Sequence, residues 1–141
     1  MASNFGLQFL GLVLFFFVLY KIYHIWKNYK RNSYRREALA WLSHLPDYKQ
    51  VQAQAVYRQL PALIRKTALH AFGHQEAGVL SRERWDNWLD QQCDKTAFVE
   101  KCPTLLHQLA YAPQRQLELA QIQCLVKEIG LWIQYHRGPD D

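Results

Sequence analysis

The residues Phe9-Leu10-Gly11-Leu12-Val13-Leu14-Phe15-Phe16-Phe17-Val18-Leu19-Tyr20 divide this protein into two parts with different solvents. They lie within a longer stretch, Ala2 to Tyr20, that holds no Asp, Glu, Lys, Arg or His over 19 residues. At about 1.5 Å rise per residue such a helix covers roughly 28 Å, close to the ~30 Å hydrocarbon thickness of a bilayer. Ile22, Tyr23, Ile25 and Trp26 extend the apolar face, and Lys21 is placed to snorkel. Tyr20, Tyr23 and Trp26, with Tyr29 beyond them, predict an aromatic belt at one membrane interface. A cleaved signal peptide would need a basic segment before the apolar run and a small-residue cleavage site after it. Met1 to Gln8 carries no basic side chain and the exit reads Tyr-Lys-Ile-Tyr-His, so the expectation is a retained transmembrane anchor over residues 1–27.

Working outward, the whole chain of 141 residues is 50% hydrophobic and 21% charged, yet its mean hydropathy is −0.30. The length excludes a multidomain enzyme or an extended solenoid, and the composition excludes a wholly disordered chain. The net charge of +5 and the pI near 9.2 are not spread evenly. Lys21, Lys27, Lys30, Arg31, Arg35 and Arg36 all follow the span before the first acid, Glu37, whereas residues 37–141 hold 11 Lys+Arg and 12 Asp+Glu. The positive-inside rule therefore predicts an N-terminus outside and a cytoplasmic C-terminal part after about residue 27. The six cations are expected to contact anionic lipid headgroups, at about 1 kcal/mol each. With Trp26, Tyr29 and Tyr34 interleaved they also resemble a nucleic-acid patch, but their place beside the bilayer favours lipid, and no nucleic-acid partner is expected. Residues 28–36 form a basic juxtamembrane stalk, either rigid or hinged at Asn32-Ser33, and residues 37–141 a nearly neutral domain whose partners are expected through shape and apolar contacts.

The pattern in that domain is helical throughout. Tyr34, Ala38, Trp41, Leu42 and Leu45 make one stripe that Pro46-Asp47 ends. Val56, Leu60, Leu63, Ile64, Ala68 and Phe72 make a second, in which Pro61 predicts a kink or a restart near Leu60 and Gly73 a stop. After a loop from His74 to Leu80, Ser81 is a candidate N-cap for a helix carrying Trp85, Trp88, Leu89 and Gln92. A break near Asp94 to Thr96 precedes a short apolar piece, Phe98-Val99. Pro103 then opens a helix with Leu105, Leu106, Leu109 and Ala110. Pro113 is expected to open the last helix, with Leu119, Ile122, Leu125, Val126, Ile129, Trp132 and Ile133 inward and Glu118, Lys127 and Glu128 outward, up to Gly138-Pro139. No alternating strand pattern occurs. The fold class is thus all-α: one N-terminal transmembrane helix followed by a small bundle of about five helices, large enough to be stable without disulfides.

Side chains able to carry chemistry are few. His70 and His74 stand four apart with Glu76 close by, as two zinc ligands on one helical face would, but Gly73 falls between them and a cap or surface role is expected instead. Cys93, Cys102 and Cys124 are odd in number and lack CxxC spacing, which predicts free thiols, some buried; His107 is the nearest imidazole in sequence for an activated thiol. Asp86, Asp90 and Asp94 repeat every four residues and are expected on a solvated face. Trp85, Trp88 and Trp132 are expected in the core, or as partner anchors where exposed. No phosphate loop, nucleophile elbow or zincin motif is present. Neither cofactor nor metal is expected.

The order of these features resembles a known family. A single span, a basic exit into Ser33-Tyr34-Arg35-Arg36-Glu37-Ala38-Leu39, then Leu63-Ile64-Arg65-Lys66-Thr67-Ala68-Leu69, then Val79-Leu80-Ser81-Arg82-Glu83-Arg84-Trp85-Asp86-Asn87-Trp88-Leu89-Asp90, and finally Trp132-Ile133-Gln134-Tyr135-His136-Arg137 are similar to bacterial membrane proteins of unknown function encoded beside MoxR-type AAA ATPases and von Willebrand factor A-domain proteins. The resemblance implies no catalytic residues. It implies an inner-membrane component working with an ATPase and A-domain partners, and the expectation is a non-enzymatic, membrane-tethered adaptor or scaffold. A small membrane-bound enzyme using the His/Asp/Glu residues, or a sensor of membrane charge, is the alternative.

Overall fold

A computed structural model describes residues 2–49, 53–77, 83–111 and 117–138, and every regular element among them is an α-helix. The chain forms two compact units, Met1–Ser33 and Tyr34–Asp141.

The first unit is helix α1, Ala2–Arg31, 30 residues long. From Phe5 to Trp26 its large apolar side chains are all exposed, among them Phe9, Phe15, Phe16 and Phe17. Water does not tolerate a continuous apolar sleeve of that size on a stable monomer, whereas hydrocarbon does. The helix is long and apolar enough to cross a membrane. Its basic end begins with Lys21, whose ammonium lies 5.6 Å from the centre of the Phe17 ring, and continues to Lys30, 5.0 Å from that of Trp26. Each cation is thus folded back along an aromatic face.

The second unit begins at the second residue of α2 (Ser33–Ser43) and holds α3 (Gln54–Tyr57), α4 (Leu60–Phe72), α5 (His74–Ala77), α6 (Glu83–Gln91), α7 (Phe98–Lys101), α8 (Leu105–Tyr111) and α9 (Leu119–Tyr135). The five expected helices are α2, α4, α6, α8 and α9; α3, α5 and α7 are single turns between them. The expected restart at Leu60 is present, because Pro61 falls in the first turn of α4, where its missing N–H costs nothing. Gly73 ends α4 at φ 87°, ψ 169°, a conformation that only glycine adopts without strain, and its N–H donates to the Leu69 carbonyl at 2.9 Å. The segment after it, expected as a loop, begins with the turn α5.

Helices α4, α8 and α9 pack against one another, while α7 is held between α6 and α9. Leu60, Ile64 and Ala68 of α4 meet Leu105, Leu106 and Leu109 of α8 and Ile122, Leu125, Ile129 and Ile133 of α9 in one core. Fully burying each such side chain is worth roughly 1.5–3 kcal/mol. Trp132 is completely buried, and its indole N–H donates to the Leu89 carbonyl at 2.9 Å, so the ring brings no unsatisfied donor inside. Tyr48 and Tyr57 tie the α2–α3 connection down in the same way, donating to the carbonyls of Leu117 at 2.8 Å and Pro46 at 2.6 Å.

Three expectations about polar positions fail. Helix α9 begins at Leu119, not Pro113, with a capping box in which the Glu118 carboxylate takes an N–H of the first turn and Gln121 takes the Glu118 N–H at 2.9 Å. Leu119 is accordingly exposed rather than inward. Glu128, expected outward, is 1% exposed. Asp86 is 3% exposed and Asp90 half-buried; of the expected solvated row, Asp94 alone is exposed, where it pairs with Arg137. The buried carboxylates are occupied with backbone. Asp90 accepts the N–H groups of Phe98 and Val99 and the Thr96 hydroxyl, while Glu128 accepts the Ala97 N–H at 3.0 Å. Asp86 accepts the Thr104 N–H at 3.0 Å. Thr104 has φ 58°, costly for a β-branched residue, and that bond together with its contacts to Gln108 holds it there. Ser81, Pro113 and Pro139 lie outside the described residues.

Candidate functional site

An open groove of about 490 Å³ lies in the second unit between α4 and α8. Its small residues Pro61, Ala62 and Ala110 leave the space, and larger side chains from four segments border it. Arg58 follows α3, Arg65 projects from α4, Trp85 comes from α6, and Leu106, His107 and Tyr111 from α8. The Arg65 guanidinium lies 4.4 Å from the centre of the Trp85 ring and donates to the Ala77 carbonyl at 3.4 Å. Stacked in this way it keeps its charge while losing little further freedom when it meets an anion. His107 and Tyr111, one turn apart, face each other at 4.9 Å, and Tyr111 is 73% exposed. Among the described residues the lining supplies two guanidiniums, an imidazole and two further aromatic rings, with no carboxylate and no thiol.

The other sequence candidates are placed as follows. Lys21, Lys27 and Lys30, with Arg31, lie on the exposed end of α1, and Tyr20, Tyr23 and Trp26 are exposed on the same helix. Arg36 is exposed on α2. Arg35 is different. It donates to Tyr34 Oη at 3.2 Å, to the Gln134 carbonyl at 3.2 Å and to the His136 carbonyl at 2.9 Å, so its guanidinium satisfies carbonyls at the C-terminal end of α9.

Trp85, Trp88 and Trp132 are all buried. Trp85 stacks on Trp88 at 5.3 Å, Trp88 lies 6.3 Å from Trp132, and Trp132 stacks on His136 at 4.2 Å. His136 Nδ1 lies 2.7 Å from the Trp132 carbonyl, which only accepts, so Nδ1 carries the proton; Nε2, 3.0 Å from Tyr34 Oη, then accepts from the phenol. The aromatic ladder thus ends in an oriented Arg35–Tyr34–His136 chain.

His70 and His74 are both exposed; His70 lies against the Tyr34 ring at 4.6 Å, and the side chain of Glu76 is outside the described residues. Among the described residues no group of three or more His, Cys, Asp or Glu could hold a metal ion. The three cysteines are free thiols: Cys93 and Cys102 are buried and Cys124 half-buried. Cys102 and Cys124 approach to 3.1 Å between sulfurs, while His107, the imidazole nearest in sequence, lies in the groove. Burial pushes the Cys102 thiol well above the usual cysteine range, helped by its hydrogen bond to Cys124 and by the negative charges of Cys124, Glu128 and Asp86.

Arg58, Arg65 and Tyr111 fall on none of the apolar stripes and match no catalytic or binding motif in the sequence. Their spacing carries a weak signal, since 58 and 65 are two turns apart and 107 and 111 one turn apart. Nothing in a linear pattern joins the two pairs.

An all-α protein with one N-terminal helix of membrane-crossing length is the class these features define. The chain belongs to the DUF4381 family, a domain of unknown function, which it matches over residues 3–135. No curated protein and no solved structure matches it.

Proposed function

We propose that this protein is a membrane-anchored interaction module: an adaptor or scaffold that docks protein partners in the α4–α8 groove. The observation that carries the reading is the lining of that groove, with stacked Arg65, neighbouring Arg58 and exposed Tyr111 around the small residues Pro61, Ala62 and Ala110. Aromatic and arginine side chains on a concave surface are what protein partners use as anchors, and acids on the partner would meet the two guanidiniums. The carboxylates that a small enzyme would need do not converge there; Asp86 and Asp90 are bonded to backbone N–H groups and Asp94 is on the surface with Arg137. In this reading α1 spans the bacterial inner membrane with its N-terminus outside. Lys21, Lys27, Lys30, Arg31 and Arg36 meet lipid headgroups, and the second unit is cytoplasmic. The partners are the AAA ATPases and von Willebrand factor A-domain proteins that the sequence resemblance implies.

A photocrosslinking residue at Tyr111 in native membranes tests the docking. Expected is a crosslink to an ATPase or A-domain protein that weakens on the order of tenfold in Arg58→Glu, with no matching product from the exposed control position Val99. Equal products from positions 99 and 111, or none at 111, would refute it. Protease protection of the second unit in spheroplasts tests the orientation, and digestion from the outer face would reverse it.

A further inference from the structure

We infer that Cys102 and Cys124 form a thiol–disulfide exchange site, which low-molecular-weight disulfides of the glutathione class oxidise to an intramolecular disulfide. The sulfurs are 3.1 Å apart across 22 positions of sequence, one at the end of α7 and the other on α9. A disulfide bond is about 2.05 Å long, so closure needs about 1 Å of movement between groups already in contact.

The two thiols are also unequal, as exchange requires. Cys124 is half-buried and borders an open pocket of about 300 Å³ that Lys101, Pro103, Gln108 and Gln121 help to line, which gives a small disulfide access to its sulfur. Its S–H lies 3.7 Å from the Lys101 carbonyl. Cys102 is fully buried and reaches Cys124 but not solvent. Cys93, the third thiol, is buried with its sulfur 4.0 Å from the Leu131 carbonyl.

The chemistry proceeds in two displacements. The Cys124 thiolate, its proton given to solvent, attacks one sulfur of the small disulfide R–S–S–R, forming a mixed disulfide Cys124–S–S–R and releasing RS⁻, which takes a proton from solvent. Cys102 then attacks the Cys124 sulfur, the Cys124–S bond to R breaks, and the Cys102 proton leaves with the departing thiolate as RSH. Two thiols are oxidised, one small disulfide is reduced to two thiols, and the electrons balance. Burial makes Cys102 a poor thiolate in the free protein, which leaves Cys124 as the residue that attacks first and Cys102 as the resolving one. This inference does not depend on the docking groove or on which side of the membrane the second unit lies.

The test uses the full-length protein in detergent, equilibrated over a range of glutathione disulfide to glutathione ratios, acid-quenched, alkylated and mapped by mass spectrometry. Expected is joint loss of the Cys102 and Cys124 thiols in one step, a peptide pair linked 102 to 124 within one chain, and Cys93 still alkylated after unfolding. Cys102→Ala is expected to stop with glutathione on Cys124, and Cys124→Ala to leave Cys102 unmodified. A linkage involving Cys93, an intermolecular dimer on a non-reducing gel, a stable mixed disulfide in the unaltered protein, or free thiols at ratios that fully oxidise dithiothreitol would each overturn it. The map of the unaltered protein decides alone if a variant fails to fold.

Discussion

Asp90 accepts the backbone N–H of Phe98 at 2.8 Å, and so the four-residue helix α7 receives its N-terminal cap from a different helix. The same carboxylate takes the Val99 N–H, and Glu128 from α9 takes that of Ala97. Three successive amides at the start of α7 are thereby satisfied by carboxylates from the two helices that flank it. No side chain of the turn's own N-cap residue, Ala97, could do this.

Asp90→Ala is therefore expected to destabilise the second unit by about 1.5–3 kcal/mol, the range for hydrogen bonds to a charged acceptor, because it strands the Phe98 and Val99 amides at once and leaves the Thr96 hydroxyl only the Cys93 carbonyl. Asp94→Ala, one turn further along at an exposed position, should cost well under 1 kcal/mol. Urea unfolding of the detergent-solubilised protein separates the two, and equal effects would remove the capping role.

Arg35→Ala is expected to lower stability by about 1–3 kcal/mol and to speed amide exchange in the last turn of α9, since the Gln134 and His136 carbonyls lose their donor. Lys27→Ala, on the exposed end of α1, is the comparison and should leave both unchanged. An unaltered exchange pattern in Arg35→Ala would mean that the clamp carries no load.

Trp132→Ala should cost about 3–5 kcal/mol through the cavity it opens. Trp132→Phe keeps most of the apolar volume but removes the indole bond, leaving the Leu89 carbonyl only the Gln92 N–H at 3.1 Å, and is expected to cost about 0.5–1.5 kcal/mol. Denaturant midpoints for the pair distinguish packing from hydrogen bonding, and a neutral Trp132→Phe would show that the indole N–H contributes nothing.

Burial raises the Tyr57 phenol above its ordinary value of 10.0, with the charges of Asp47 and Tyr48 adding to the shift. The folded state thus favours the neutral phenol. Its contribution is complete below pH 10 and is lost as pH rises through the higher folded value, because the unfolded chain ionises first. Comparing urea midpoints at rising alkaline pH, Tyr57→Phe should show a shallower decline than the unaltered protein. A steeper or identical decline would place the alkaline sensitivity elsewhere.

The apolar stripes of this chain were legible because burial imposes its period directly on sequence. Leu60, Ile64 and Ala68 occur on α4 where the 3.6-residue repeat puts them, and Pro61 marks the restart because its ring tolerates only the first turn. The polar positions were not legible in the same way. Asp86, Asp90 and Glu128 occupy the faces that a two-layer helix would leave wet, but α7 folds back over α6 and α9 and turns those faces inward. Its four residues are too few to show a period, so nothing in the pattern announces that a third layer exists. The start of α9 was misplaced for a related reason: Pro113 is a common opening residue, whereas Glu118 is an unusual N-cap whose partner Gln121 is recognisable only once the turn is formed. The groove combines Arg58, Arg65, Trp85, His107 and Tyr111 from four separate segments, and proximity of that kind exists only in three dimensions.

The contact between Tyr34 and His136 joins positions 102 apart in the chain, nearly the whole length of the second unit. Synthesis proceeds from the N-terminus, so Tyr34 and Arg35 are made early and wait for the last turn of α9 before their bonds to residues 134 and 136 can form. Contacts of such long sequence separation form slowly, after the loop between them has been closed. A nascent or truncated chain that lacks residue 136 consequently leaves Tyr34 and Arg35 unclasped, and the closing of that clasp records that α9 has been made and has docked.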